Sequence, residues 1–387
     1  MTKRHIVVIG AGVTGLQTGV TLLEAKKYDV TIITKSTYED NDPYYTSLWA
    51  GAQWRTHASE DDLRQQKWDI ETYDHWMDLI ARENKKSGEP TSSGLTLIPS
   101  TLYRCTPSTS PQRPPWFAPH VQSYIPIPPS SLPSNTTAGA TYTSLTIWPP
   151  LYLSHLTTLF LSLGGRILKH TLPSPLPLAL ATASLLVPTT SGFVNCTGLA
   201  ARSLVPDETV YPIAGQTVRV RGVAGALTTV EGGGPGVNDA GPKAGNGGVT
   251  YLIPQPSEEL TVLGGTKEEG NWSTVPEPGV TREILERCGA YAPELLDEGG
   301  FEVLDVRVGL RPGRRGGVRV EGERVRMGDG KGEWVVVHSY GHAGAGFQNS
   351  VGCASEVVRV LEGMEVDGER KGPRLMGMEL AVLMYRA

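Results

Sequence analysis

Three glycines near the start of the chain stand at a spacing that can hold a diphosphate. In HIVVIGAGVTGLQTG, an apolar run from Ile6 to Ile9 ends on Gly10 and continues through Gly12 and Gly15 as GxGxxG. Gly10 permits a tight turn, Gly12 lets the backbone approach phosphates with no Cβ in the way, and Gly15 lets the next helix pack close to the strand. Val13, Leu16, Val20 and Leu23 form the apolar face of a helix over about residues 13–26. Its first N–H groups, from Val13 and Thr14 onward, and its positive dipole end suit a dinucleotide pyrophosphate. The alternative is a glycine turn that serves packing alone.

These residues need a sheet to position them. DVTIIT at 29–34 reads as a second strand and completes a βαβ unit. An acidic residue at this strand's end normally takes ribose hydroxyls, but the chain offers Thr34 and Lys35. Lys35 either contacts a phosphate or sugar or is a solvated surface lysine, and the missing acid weakens a nicotinamide dinucleotide reading. Near the other end, WVVVHSY, GHAGAGF and SVGCASEVVRVLEG read as strand, glycine loop and helix. The same motif at both ends implies a nucleotide domain assembled from non-adjacent segments, with a second domain inserted between them.

Between the ends, residues 60–86 carry a helical pattern with Leu63, Trp68, Trp76, Leu79 and Ile80. The proline-rich tract 99–150 reads as irregular or edge segments, and 173–188 reads the same way. Residues 222–248 are almost devoid of large apolar groups and read as a mobile loop between the strands TVRVRG and VTYLIP. Residues after about 367 read as a weakly anchored tail.

Composition bounds the class. The 387 residues, with 39% hydrophobic and 19% charged, describe a globular protein of about two domains. A net charge of -5 and no basic stripe give no reason to expect a nucleic acid partner. MTKRHIVVIG runs directly into a strand rather than a signal segment, and the apolar stretches near 151–163 and 176–187 are broken by polar residues and proline. The expectation is a soluble intracellular protein that enters no membrane. Cys105, Cys196, Cys288 and Cys353 show no CxxC spacing or adjacent histidine cluster, so thiols rather than metal ligands or disulfides are expected. The sequons at Asn135, Asn195 and Asn271 then carry no meaning.

Six collinear segments resemble the FAD-dependent D-amino acid oxidase and D-aspartate oxidase family, in its fungal form, over nearly the whole chain. They are VIGAGVTGL at 8–16, YTSLWAGAQW at 45–54, VNCTGLAA at 194–201, YLIP with LGGT at 251–254 and 263–266, VGLRPGRRGGVRVE at 308–321, and HSYGHAGAGFQNSVGCA at 338–354. The resemblance implies an α/β fold, with a Rossmann-like FAD-binding domain and an inserted substrate domain built on a mixed β-sheet. The expected division is 1–55, 150–211 and 303–365 for the FAD-binding domain, 56–149 and 212–302 for the substrate domain, and 366–387 for the tail.

Carried over position by position, the implied FAD contacts are Gly10, Gly12, Val13, Thr14, Gly15, Lys35, Thr46, Ser47, Gly51, Thr197, Gly198, Gly341, Gly344, Gly346, Phe347 and Gln348. The N–H groups of the late glycines precede a helix and suit negative charge on a reduced flavin, unless the loop serves packing alone. Arg311, in GLRP, matches the family arginine that grips the substrate carboxylate, a role that a planar guanidinium fork suits. Its neighbours Arg307, Arg314, Arg315 and Arg319 keep a solvent-facing basic turn open as the alternative. Tyr251 matches the tyrosine that joins that arginine, or else its ring packs in the core. The Gly344 carbonyl is implied to meet the substrate amine. Many members carry a lid tyrosine about four residues before Tyr251, where this chain has Gly247.

Arg55 and His57, in RTHAS, fall where the family's chain turns toward the substrate. A second cation there would pair with a side-chain carboxylate, so acidic D-amino acids, D-aspartate first, are the expected substrates. The alternative is that both groups face solvent or bind Glu60, Asp61 or Asp62. The implied reaction needs no general base. The amine enters neutral, a Cα hydride passes to flavin, oxygen reoxidises the flavin to give hydrogen peroxide, and the imino acid hydrolyses to a 2-oxo acid and ammonia. His338 and His342 read as packed, hydrogen-bonded imidazoles rather than acid/base groups. Rival readings are an oxidase of neutral D-amino acids, a glycine- or sarcosine-type flavin amine oxidase, a non-catalytic nucleotide-binding protein and a nicotinamide dehydrogenase. Family members often reside in peroxisomes, but LMYRA does not fit an SKL-type address, which leaves a cytoplasmic location open. The reading leaves a homo-oligomer open as well.

Overall fold

The computed structural model describes residues 3–105, 114–134, 136–232, 249–327 and 332–366. Two sheets share the chain. The first holds β1 (Arg4–Ile9), β2 (Tyr28–Thr34), β6 (Arg166–Lys169), β7 (Thr190–Asn195), β14 (Arg319–Arg326) and β15 (Glu333–Tyr340), in the order β14-β15-β7-β1-β2-β6. The strands from β15 to β6 are parallel and β14 is antiparallel to β15. The inner part of this sheet is buried on both faces, which is why β1, β2 and β15 carry mostly apolar stretches, whereas the edge strands β6 and β14 are rich in charged residues. Ile6, Val8, Ile32, Val194 and Val337 face one core with α1 (Val13–Glu24), α3 (Pro149–Ser162) and α7 (Ser350–Val366). Val7, Ile9, Ile33, Phe193 and Val336 face the other, under α4 (Leu176–Leu186). The 60–86 pattern forms α2 (Leu63–Arg82), which packs on α7.

The second sheet has nine strands: β3 (Leu95–Arg104), β4 (Ile125–Pro126), β5 (Ala138–Ile147), β8 (Val210–Arg221), β9 (Leu227–Glu231), β10 (Thr250–Gln255), β11 (Leu260–Gly264), β12 (Glu268–Glu269) and β13 (Val303–Arg314). Its order is β12-β8-β11-β10-β9-β3-β5-β4, with β13 along the length of β8. The β3–β9 pair is parallel, so the sheet is mixed. One face packs against α6 (Pro278–Gly289) through Val218, Val220, Leu252 and Leu263. Strict alternation then turns Thr217, Tyr251 and Gly264, which pair in register, to the opposite face.

Four expectations are corrected. The tract 99–150 contains the ten-residue strand β5 and the last six residues of β3, and β3 lies inside the sheet. Pro99 is tolerated because β9 begins pairing only at Ser100, so the ladder on that side loses no donor. The tract 173–188 contains α4, whose prolines lie at the N-cap and in the first turn, where N–H groups are unneeded. The glycine-rich tract contains β9, a β-branched run, while residues 233–248 of the expected loop lie outside the described residues. The expected FAD segment 303–365 splits, because β13 pairs with β8 in the second sheet through Arg314. The tail expected from 366 lies outside the described residues beyond Val366.

Candidate active site

One cavity of about 1390 Å³ runs from the first glycine turn to the second sheet. That exceeds the roughly 300–1,000 Å³ of ordinary small-ligand sites and suits a dinucleotide with a substrate beside it. Gly10 sits at φ +102°, and a Cβ there would lie 2.7 Å from the Cys196 carbonyl oxygen. Gly12 is the N-cap of α1 with no side-chain cap, and no acidic residue occupies the first turn. The positive end of the helix is therefore open to an anion. Ser47 accepts from the Val13 N–H at 3.0 Å and Thr46 donates to the Leu310 carbonyl at 2.6 Å, which ties the 45–54 segment to both the turn and β13.

The cavity wall includes Gly10, Gly12, Val13, Thr14, Lys35, Thr46, Ser47, Gly51, Thr197, Gly198, Gly341, Gly344, Gly346, Phe347 and Gln348. Of the expected cofactor contacts only Gly15 stands back, where its missing side chain lets α1 pack over the Gly10 carbonyl. Gln53 Oε1, Ser339 Oγ and His342 Nε2 belong to cavity residues and are buried with no hydrogen-bond partner among the described residues. Such atoms cost about 1–3 kcal/mol each unless a polar ligand meets them. This donor and acceptor set fits a flavin dinucleotide. The end of β2 lacks an acid, but a carboxylate stands on the cavity wall seven residues past Lys35. Asp42 lines the cavity, accepts from Ser36 Oγ at 2.6 Å and the Tyr44 N–H at 2.9 Å, and lies 3.7 Å from Lys35 Nζ. Burial opposes its charge, but these hydrogen bonds and Lys35 hold the carboxyl below its usual range.

On the second sheet, the guanidinium of Arg311 lies across Gly215, in volume that any side chain there would fill. Tyr251 lies in the same way over Gly264 and Gly265. Both line the cavity. Arg311 Nη1 donates to the Thr266 carbonyl at 3.0 Å, and among the described residues no carboxylate pairs with it. Its neighbours differ. Arg307 pairs with Asp305 and covers the Trp49 ring, Arg314 pairs with Asp207, Arg315 with Glu269, and Arg319 with Glu321 and Glu323.

A Cβ on Gly344 would lie 3.7 Å from His57 Nε2 and 3.8 Å from Arg311 Cδ, so these two residues flank the late glycine loop. His57 opens onto the cavity, where its side chain is exposed but ringed by protein cations. Desolvation, then Arg55, Arg311 and Lys267, push its pKa well below the ordinary imidazole value, so it is neutral. Arg55 is buried and lines the cavity. Its partner is not Glu60, Asp61 or Asp62. Nη1 donates to Glu231 Oε1 at 2.6 Å, and Nη2 lies 3.1 Å from His57 Nδ1.

His338 packs between Asn195 at 3.1 Å and Glu323 at 3.0 Å. Burial and Arg319 outweigh Glu323 and lower its pKa to about 4. His342 is also buried and lowered to about 4, but its Nε2 is one of the unpartnered atoms. Among the described residues the four cysteines form no disulfide. Gly247 lies outside the described residues. Sequence reasoning missed Asp69, an acid on the apolar face of α2 beside Trp68. Its fully buried carboxyl accepts from Thr56 Oγ1 at 2.6 Å, Gln348 Nε2 at 3.2 Å and Asn349 Nδ2. Desolvation outweighs these donors and raises its pKa to about 7. It joins the segment carrying Arg55 and His57 to the late glycine loop.

Comparison with known proteins agrees with this geometry. The chain is 33% identical to D-aspartate oxidase of Cryptococcus neoformans var. grubii, over 93% of this chain and 97% of that one. It is 34% identical to D-amino-acid oxidase of Streptomyces coelicolor, over 92% and 96%. Among solved structures, glycine oxidase from Bacillus cereus superposes with a TM-score of 0.64 at 16% identity, covering 94% of this chain and 96% of that one. L-proline dehydrogenase from P. horikoshii superposes with a TM-score of 0.66 at 13% identity, covering 94% of each. At such identities these two show the shared fold. The family model described as FAD dependent oxidoreductase matches residues 5–360, so the chain belongs to the DAO family of FAD-dependent oxidoreductases and its cofactor is FAD.

Proposed function

We propose that this protein oxidises D-amino acids to 2-oxo acids, with acidic side chains preferred. The observation that carries the reading is Arg311, a guanidinium on the cavity wall with no carboxylate partner among the described residues, beside the loop of Gly344. A cation left unpaired in a cavity is a receptor for an acid group. Bound FAD supplies the acceptor for two electrons from the substrate Cα–H, with oxygen as the final acceptor and hydrogen peroxide as product.

The chain's own residues bind and orient. Arg311 takes the α-carboxylate, the Tyr251 hydroxyl joins it, and the Gly344 carbonyl accepts from the amine. Fixing both groups of the amino acid leaves one enantiomer's Cα hydrogen toward the cofactor side of the cavity. The amine arrives neutral, so no side chain must first remove its proton, and the imino acid leaves to hydrolyse in water. Gly10 and Gly12 seat the diphosphate while Gly15 lets α1 pack behind them, and Asp42 with Lys35 takes the ribose end. The late glycines, Phe347 and Gln348 meet the flavin. The acidic preference rests on Arg55, which lines the cavity two residues from neutral His57.

A second reading, neutral D-amino acids, draws support from the Arg55–Glu231 pair, since that cation already has a counterion. Peroxide release from D-aspartate, D-glutamate, D-alanine and L-aspartate tests activity, handedness and preference together. Peroxide from D-aspartate ahead of D-alanine, and none from L-aspartate, is expected. Silence with all D substrates overturns the proposal.

A further inference from the structure

Arg55 and Glu231 are 176 positions apart in the chain and meet at 2.6 Å. The meeting is made by strand register. Arg104 of β3 pairs with Glu231 of β9, and Thr229 of β9 pairs with Tyr251 of β10. Residues two apart on a strand share a face, so Glu231 stands on the same face as Thr229 and Tyr251. That is the face turned to the cavity. Glu231 stands behind the cavity wall, and its carboxylate reaches the site through Arg55, which lines that wall.

We infer that Glu231 is a specificity-determining residue: its carboxylate occupies the Arg55 guanidinium in the place of the side-chain carboxylate of an acidic substrate. The inference rests on the acidic substrate class proposed above. Arg55 is buried, and a buried cation without a counterion is costly, so the unliganded site needs Glu231. An acidic substrate brings its own carboxylate, and the exchange conserves charge at Arg55. The displaced group has somewhere to go. Its side chain is about one-third exposed (36%), and the exposed Arg104 already lies 3.4 Å from its other oxygen. A neutral substrate offers Arg55 nothing, leaves the pair closed and meets no competition. Glu231 thus lowers the discrimination in favour of acidic substrates that Arg55 alone would give.

The test uses the FAD-loaded full chain and four substitutions in two roles. Glu231→Gln removes the competing charge with little change of shape, and the ratio of kcat/KM for D-aspartate over D-2-aminobutyrate is expected to rise about tenfold. Arg104→Met removes the alternative partner of the displaced carboxylate, so the same ratio is expected to fall. Binding is read separately by calorimetry with succinate and butyrate, a dicarboxylate and a monocarboxylate of equal length. Glu231→Gln is expected to tighten succinate and leave butyrate unchanged.

An unchanged ratio and unchanged succinate affinity in both variants would overturn the inference. Equal loss for both acids in Glu231→Gln would also overturn it, by making the residue a support for Arg55. Arg55→Ala and Arg55→Lys address the reading beneath. If Arg55→Ala leaves the ratio unaltered and Arg55→Lys does not move it either, the acidic preference itself fails. If Arg55→Ala lowers the ratio while the Glu231 variant does not raise it, only the role of Glu231 fails.

Discussion

The guanidinium of Arg311 occupies the space above Gly215 that a side chain would take, so the proposed anchor for a carboxylate is positioned by an absence on the neighbouring strand. Gly215→Ala is therefore expected to push the guanidinium aside while leaving the strand ladder between β8 and β13 intact. Displacement of about 1 Å costs on the order of 10²-fold in kcat/KM, carried mainly by KM. Steady-state kinetics with a separate FAD titration checks this. Unchanged KM, or loss of FAD instead, contradicts it.

Gly12 has a different neighbour. A Cβ there would stand 3.1 Å from Ser47 Oγ, a contact that a small shift relieves. Gly12→Ala should fold with a stability change of about 1 kcal/mol or less, yet obstruct the approach of a diphosphate to the turn. The expected protein melts near the wild-type temperature and purifies with substoichiometric FAD. Full occupancy would show that the turn does not seat the diphosphate.

Asp42 is expected to serve the ribose end of the cofactor. Asp42→Ala removes the acceptor for Ser36 Oγ and the Tyr44 N–H along with the Lys35 counterion. FAD should bind about tenfold more weakly, as for loss of one or two charged hydrogen bonds. The value of kcat at saturating FAD should not move. A fluorescence titration of the apoprotein separates the two effects.

Asp69 and His342 titrate in opposite senses. The Asp69 carboxyl is raised from its ordinary range to about 7, so its contribution to stability is complete below about pH 4 and is lost as pH rises through 7. On the order of 4 kcal/mol is at stake, since one pKa step is about 1.4 kcal/mol. His342, lowered to about 4, contributes stability above its unfolded value near 6.5 that is lost as pH falls toward 4. Asp69→Asn should then remove the compensating trend and steepen the loss of stability on acidification. Urea unfolding from pH 5 to 8 measures it, and parallel curves for the two proteins would refute the assignment.

The nucleotide half of the molecule is legible in the sequence because its signals are local. β1 and β15 each carry an apolar run of four residues, Ile6 to Ile9 and Trp334 to Val337, followed by glycines and a helix, so strand, turn and helix can be read in one window. The second sheet is not local. β3 carries Pro99, and β9 is five residues inside a glycine-rich tract, so neither passes a window test. Their partners lie more than a hundred residues away in one case and about forty in the other. For the same reason Arg311 and Tyr251 could be located by resemblance, whereas the glycines that make room for them and the Glu231 that meets Arg55 could not. α4 was hidden for the opposite reason, because prolines that permit a helix start resemble prolines that forbid a helix.

From Asp305 to Arg314, β13 is placed by parity against β8. Val306 packs with the cluster under α6, while Arg311 is turned to the cavity from an odd position of the same strand. One residue inserted or deleted between Val303 and Arg311 would rotate the arginine through half a turn and bury it against the helix. Under the role proposed for Arg311, a change of strand length there is expected to disarm the protein as surely as replacing the arginine.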